Sequence, residues 1–306
     1  MCSQPSRVYL DHGQNAFNCP WVRIGSGWGE VTPPQEEKEL AVARQLLQQT
    51  EAHLKEKGWL DLAYLYVIDE PGAQAFDGVK RAFALAGEYA PGLRRLLTFG
   101  YGATRPWTPG AEGLPAYADL AGYVDIWVPH LDCFDPRFLD TLRGKDNNEI
   151  WDYICISGQL PYPNMWAIDY PGVVNRVVYW QLWQQRIQGF LYWATTYWQK
   201  NVWEDPLSYP GGNGDGSLLY WGKEGPVNSI RYELVRDGTE DYDMLARLSD
   251  LAKTTKDAAL RRAAERLLDL SDATPEFTKF PSDPQVLEAR RLAVAEMVER
   301  LTRAAR

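Results

Sequence analysis

The sequence predicts an α/β fold, a parallel sheet of the (β/α)8 barrel type followed by a C-terminal helical appendage. Three observations lead there. The stretch Leu62-Ala63-Tyr64-Leu65-Tyr66-Val67-Ile68 is apolar or aromatic without a break, as strands buried on both faces are. Strand-like and helix-like segments alternate from there to Thr196, and five such units in a row favour a barrel over a doubly wound sheet. No Gly-rich phosphate loop follows any of these strands, which counts against a nucleotide site.

Composition narrows the function classes. The 306 residues suffice for one large domain or two small ones, and 45% hydrophobic with 24% charged residues is the balance of a soluble globular protein. Aromatic content is the unusual feature, with 13 Trp and 17 Tyr, rings that suit sugar faces as well as cores. A net charge of −9 without a basic run argues against nucleic acid. Cys2, Cys19, Cys133 and Cys155 show neither CxxC spacing nor scaffold density and read as isolated thiols. With His12, His53 and His130 the only histidines, no metal site and no cofactor are expected. The sequence shows no 18-residue apolar stretch and no signal-peptide pattern at Met1-Cys2-Ser3-Gln4-Pro5, so no membrane partner is expected and a cytoplasmic location is the default.

In chain order, residues 1–31 read as loop with short strands at Arg7–Leu10 and Trp21–Ile24. Thr32-Pro33-Pro34-Gln35 reads as a helix start, with Thr32 as cap, Pro33 at the first helical position and Gln35 completing a capping box. That helix carries Leu40, Ala43, Leu46, Leu47 and Leu54 on one stripe and stops at Gly58. After the apolar strand come a helix over 73–89, a strand at Arg94–Gly100, a short helix near 114–121 and a strand at Tyr123–His130. A helix near 135–143, a strand at Glu149–Ser157, a helix over 171–187 and a strand at Gly189–Thr196 complete the alternation. Residues 201–228 form a long Gly, Pro and aromatic loop, long enough to suggest function. Helices follow at 226–253, 256–270 and 283–305, with the acidic cluster Asp237–Asp243 expected on a helix surface or turn. The expected division is a barrel region over 1–225 and a helical region over 226–306.

Chemistry belongs at the strand ends. The apolar strand closes in Asp69-Glu70-Pro71, and the C-terminal ends of parallel barrel strands are where active sites sit. The other strand ends offer His130 with Asp132, Tyr153, and Trp193 with Tyr197, while Trp203 and Asp215 lie in the long loop. Carboxylates walled by aromatic rings fit glycosidic bond cleavage. Adjacent strand residues point to opposite faces, so Asp69 and Glu70 can serve one substrate only where the strand ends or bulges. Side-by-side carboxylates suit a substrate-assisted scheme, in which a 2-acetamido group is the nucleophile, one carboxylate orients its N–H and the other protonates the leaving oxygen. The second charge is costly beside the first, which favours keeping one carboxyl protonated as a general acid requires.

These residues resemble the catalytic domain of glycoside hydrolase family 123. The likeness runs through Tyr66-Val67-Ile68-Asp69-Glu70-Pro71, Ile150-Trp151-Asp152-Tyr153, Leu160-Pro161-Tyr162-Pro163-Asn164, Ile168-Asp169, Arg176 and Gly189-Phe190-Leu191-Tyr192-Trp193. It continues through Gly214-Asp215-Gly216-Ser217-Leu218-Leu219-Tyr220 and the stretch from Ser229 to Tyr242, covering roughly residues 40–250 in order and spacing. The resemblance implies a TIM-type barrel and retaining β-N-acetylgalactosaminidase activity, with Asp69 orienting the acetamido group and Glu70 as acid/base. It implies a sugar site walled by aromatic strand ends, Tyr153 and Trp193 above all.

In that family the carboxylate pair ends the fourth barrel strand and a β-sandwich precedes the barrel. Strands four to eight are therefore expected here, with at most a remnant of the third, giving either an open curved sheet with covering helices or one completed by residues 1–31, a missing N-terminal barrel segment or a partner chain. Set against the leading reading are a non-catalytic carbohydrate-binding or scaffold module, and a glycosidase for another sugar with Asp132 or Asp215 as its second carboxylate.

Overall fold

The computed structural model describes residues 11, 13–19, 24, 31–104, 112–145, 147–207 and 209–305. The chain divides into two compact units, Met1–Asp152 and Tyr153–Arg306. The first holds strands β1 (Phe17–Asn18), β2 (Ala63–Leu65), β3 (Arg94–Phe99), β4 (Ile126–Pro129) and the start of β5 (Glu149–Ile154). Its helices are α1 (Glu37–Lys57), α2 (Phe76–Tyr89) and α3 (Pro136–Leu142). Strands pair in parallel in chain order, with Ala63 opposite Phe17, Tyr64 opposite Arg94, Leu96 opposite Ile126, and Ile126 opposite Glu149. The sixth strand in that order is β6 (Gly189–Tyr192), so the sheet is a six-stranded half of a TIM-type barrel.

The added strand is β1, standing beside β2 where a remnant of the third barrel strand is expected. Its two residues fall in a region read from sequence as loop, because so short a strand has no periodicity to detect. The Arg7–Leu10 segment and residues 21–23 of the second expected strand lie outside the described residues.

Helix α1 begins later than its sequence suggests. Glu36 is its N-cap, without a side-chain cap, and Thr32 to Gln35 precede it. The reason is the proline pair, since Pro33 and Pro34 each push the preceding residue out of the helical region. The other end is as expected, with Gly58 in the left-handed conformation (φ 69°) and its N–H donating to the Leu54 and Lys55 carbonyls. Ala43, Leu47 and Leu54 of the predicted stripe are buried with Ala63, Leu65, Ala86 and Leu93 in one core cluster, but Leu46 is exposed. Glu51 takes a buried place on that face and accepts the Gly92 N–H at 2.8 Å. On the next strands Phe99 stacks on Trp127 at 5.6 Å, with Tyr117 and Phe138 closing the cluster.

The second unit adds helices α4 (Val173–Gln184), α5 (Ile230–Thr254), α6 (Ala258–Leu268) and α7 (Pro284–Ala304), and an antiparallel hairpin of β7 (Leu219–Trp221) and β8 (Pro226–Asn228). The hairpin falls within the predicted long loop. Its core joins Val177 and Trp180 to Leu245, Leu248, Leu287, Val294 and Leu301. The acidic cluster is not all surface, because Asp241 is 2% exposed. Its Oδ2 accepts from Arg176 Nη2 at 2.7 Å and Trp180 Nε1 at 2.9 Å, the pairing a buried carboxylate requires. Among the described residues, no helix is long and apolar enough to cross a membrane.

Candidate active site

In the first unit the β2 ladder stops at Leu65, four residues before the carboxylates. Beyond it, Asn18 continues the pairing with a side chain, its Oδ1 accepting the Tyr66 N–H at 3.1 Å. The chain then turns. Glu70 has φ 41°, left-handed for a residue with a side chain, and Pro71 excludes the right-handed helical alternative. Such a backbone costs on the order of 1–3 kcal/mol and persists only where its surroundings hold it.

The surroundings are explicit. The Glu70 N–H donates to Thr98 Oγ1 at 3.0 Å, and Glu70 Oε1 lies 2.8 Å from His130 Nε2. Asp69 Oδ1 accepts from Thr98 Oγ1 at 3.1 Å and from the Tyr66 hydroxyl. Burial, and then the Asp69 carboxylate, push the Tyr66 phenol far up, so it remains a donor.

Thr98 and Gly100 are two apart at the end of β3 and so face the same side. Asp69 is bonded to the first. The Glu70 carboxylate lies over the second, where an added Cβ would come within 2.6 Å of Oε2. The left-handed turn thus brings two neighbouring carboxylates to one face, which a continuing strand would not. Each has one oxygen held by the protein. Among the described residues no hydrogen bond reaches Asp69 Oδ2 or Glu70 Oε2, and neither is a buried orphan.

His130 is 3% exposed at the end of β4, its N–H on the Phe99 carbonyl at 2.9 Å. Tyr101 packs edge-on to it, ring centroids 6.0 Å apart, and donates its hydroxyl to Asp132 Oδ2. Asp132 is 4% exposed, and its buried Oδ1 has no partner among the described residues. Sequence reasoning missed Tyr66, Thr98, Gly100 and Tyr101 as site residues. The available signal was local: Thr98 is the lone hydroxyl in Arg94-Arg95-Leu96-Leu97-Thr98-Phe99.

The remaining expected site residues lie in the second unit. Trp193, Tyr197 and Tyr209 form one aromatic group with centroids 4.8–6.3 Å apart. Asp215 is fully buried, and its Oδ1 accepts from Tyr192 at 2.8 Å and Trp193 Nε1 at 3.0 Å. Burial raises its pKa. Arg231, its guanidinium pKa lowered by burial, ties down the Asp215 loop by donating to the Gly214 carbonyl at 2.9 Å and the Ser217 carbonyl at 2.6 Å. Trp203 is not part of that group. It packs on Tyr220 at 4.8 Å and donates to the Trp221 carbonyl, and it is 54% exposed. Tyr153 is buried in β5.

The catalytic-domain model of glycoside hydrolase 123 matches residues 26–248. The chain belongs to glycoside hydrolase family 123. No curated protein matches it. Among solved structures, a family 123 glycoside hydrolase from Clostridium perfringens, described for its hydrolysis of glycolipid glycans, is similar over 89% of this chain at 19% identity and a TM-score of 0.54. That likeness is one of fold. This chain covers 46% of the Clostridium protein, so it spans about half that length. The family 123 match includes both the Asp69-Glu70 pair and the Asp215 loop.

Proposed function

We propose that the chain is a glycosidase acting on β-linked N-acetylhexosaminides, N-acetylgalactosaminides in particular, by a retaining, substrate-assisted mechanism. The observation that carries this is the pair of carboxylates on one face, each anchored by one oxygen and presenting the other. Asp69 Oδ2 accepts the N–H of the 2-acetamido group, which turns that group's carbonyl oxygen toward the anomeric carbon. The carbonyl oxygen bonds to that carbon while the glycosidic bond breaks, and Glu70 gives its proton to the departing oxygen. An oxazolinium ion remains, its positive charge facing the Asp69 anion. Glu70, now a carboxylate, takes a proton from water, which opens the ring at the anomeric carbon. Two displacements restore the original configuration. In the first unit Asp132 is proposed to contact the sugar, and within the second unit Tyr153, Trp193, Tyr197, Trp203 and Asp215 are proposed as sugar-binding residues.

A second reading is a carbohydrate-binding or scaffold module without turnover. It is supported by the sheet, which has six strands among the described residues where a closed α/β barrel has eight. A panel of nitrophenyl glycosides separates the two. Turnover confined to 2-acetamido sugars supports the enzyme, binding without turnover supports the module, and cleavage of plain galactosides or glucosides overturns the substrate-assisted scheme.

A further inference from the structure

Thr98 is 0% exposed, and its one hydroxyl meets three groups: the Glu70 N–H at 3.0 Å, Asp69 Oδ1 at 3.1 Å and the Tyr66 hydroxyl at 3.1 Å. Proton counting orders these contacts. The peptide N–H can only donate, so it occupies a lone pair of Oγ1, and a carboxylate can only accept, so it takes the Thr98 proton. The Tyr66 proton also goes to Asp69 Oδ1. A directed chain results, from the Glu70 peptide through Thr98 to the Asp69 carboxylate, and each link polarises the next. At one end it holds the left-handed backbone that sets Glu70 over Gly100, and at the other it fixes one oxygen of Asp69.

We propose that Thr98 is the positioning residue of the carboxylate pair: one buried hydroxyl fixes Glu70 by its backbone and Asp69 by its carboxylate, with Tyr66 as the second donor to the same carboxylate oxygen. This rests on the reading of Asp69 and Glu70 as the working pair, but it concerns the buried hydroxyl that holds them. The groups around the Asp69 carboxyl are the Tyr66 phenol and Thr98 hydroxyl bonded to it and the neighbouring Glu70 carboxylate, itself paired with His130.

The test compares Thr98→Val, Thr98→Ser and Tyr66→Phe in the full chain by kcat and KM for an aryl 2-acetamido glycoside, with melting curves and amide hydrogen exchange at Glu70 alongside. Thr98→Val should lower kcat by about 10²-fold, the scale of a reacting group misplaced by about 1 Å. KM should change little, exchange at the Glu70 amide should speed up, and Thr98→Ser should restore both kcat and protection. Tyr66→Phe should lower kcat in the same direction, and it decides the matter if Thr98→Val does not fold. Wild-type kcat and Glu70 protection in folded Thr98→Val, or a Ser variant as impaired as the Val variant, overturns the proposal. If the wild-type chain turns over no 2-acetamido sugar, the functional reading fails, and exchange at the Glu70 amide still decides the role of Thr98.

Discussion

Gly100→Ala puts a methyl group against both members of the Glu70–His130 pair without altering either. The new Cβ would lie 2.6 Å from Glu70 Oε2 and 2.9 Å from His130 Cε1. Comfortable separations begin at roughly 3.5 Å, so something must retreat by roughly 0.5–1 Å. His130 is buried and its peptide is bonded to β3, so the ring resists; the Glu70 carboxylate ends a flexible side chain and yields. Overpacking of this kind costs about 1–3 kcal/mol of stability, which a folded domain can absorb. Misplacing a reacting group by about 1 Å costs on the order of 10²-fold in rate. The expected result is a folded variant with kcat/KM for an aryl 2-acetamido glycoside lowered on that scale. The defect should shrink for aryl groups that leave well, because the displaced group is the acid. Steady-state kinetics across a leaving-group series, with melting curves alongside, measures both. Wild-type turnover in folded Gly100→Ala would refute the placement of Glu70 over Gly100, and a loss that merely follows unfolding would reduce Gly100 to a packing position.

Glu70→Gln should lower turnover by about 10²–10⁴-fold with poor leaving groups and by less with good ones, whereas Asp69→Asn should impair all 2-acetamido substrates alike; equal, small effects in a rate series would remove both assignments. Trp193→Ala should weaken sugar binding in calorimetry at an unchanged melting temperature, and a parallel loss of both would make Trp193 a core residue holding Asp215. Asp215 has a raised native pKa from burial, so its contribution to stability is present below the ordinary carboxylate range and is lost as pH rises through the raised value. Asp215→Asn keeps an acceptor for Tyr192 and Trp193 and removes that dependence, so melting temperatures should vary less with pH in the variant than in the wild type; an unchanged pH slope would count against it.

Much of the fold was legible because it rests on long signals. The alternation from Leu62 to Thr196 marks each strand and helix near its place, and Gly58 marks a true helix end. What was illegible depended on short or long-range effects. β1 is two residues long, the α1 start is decided by steric exclusion at Pro33 and Pro34, and Asp241 is buried only because Arg176, distant in sequence, reaches it. At the candidate site, Asp69 and Glu70 stand out as candidates from one stretch, since an apolar strand ending in carboxylates is a local pattern. Their common face could not, because it depends on a left-handed residue stabilised by Thr98 and His130 from two other strands.

In the proposed mechanism the Asp69-Glu70 pair cleaves 2-acetamido glycosides with the substrate's own acetamido group as nucleophile. Its most direct test is proton NMR of the first sugar released from an aryl 2-acetamido-2-deoxy-β-galactoside by the wild-type chain, before mutarotation mixes the anomers. Attack by the acetamido group gives the β-anomer first, with no release from the corresponding 2-hydroxy galactoside. The α-anomer first, or equal cleavage of the 2-hydroxy sugar, would contradict it.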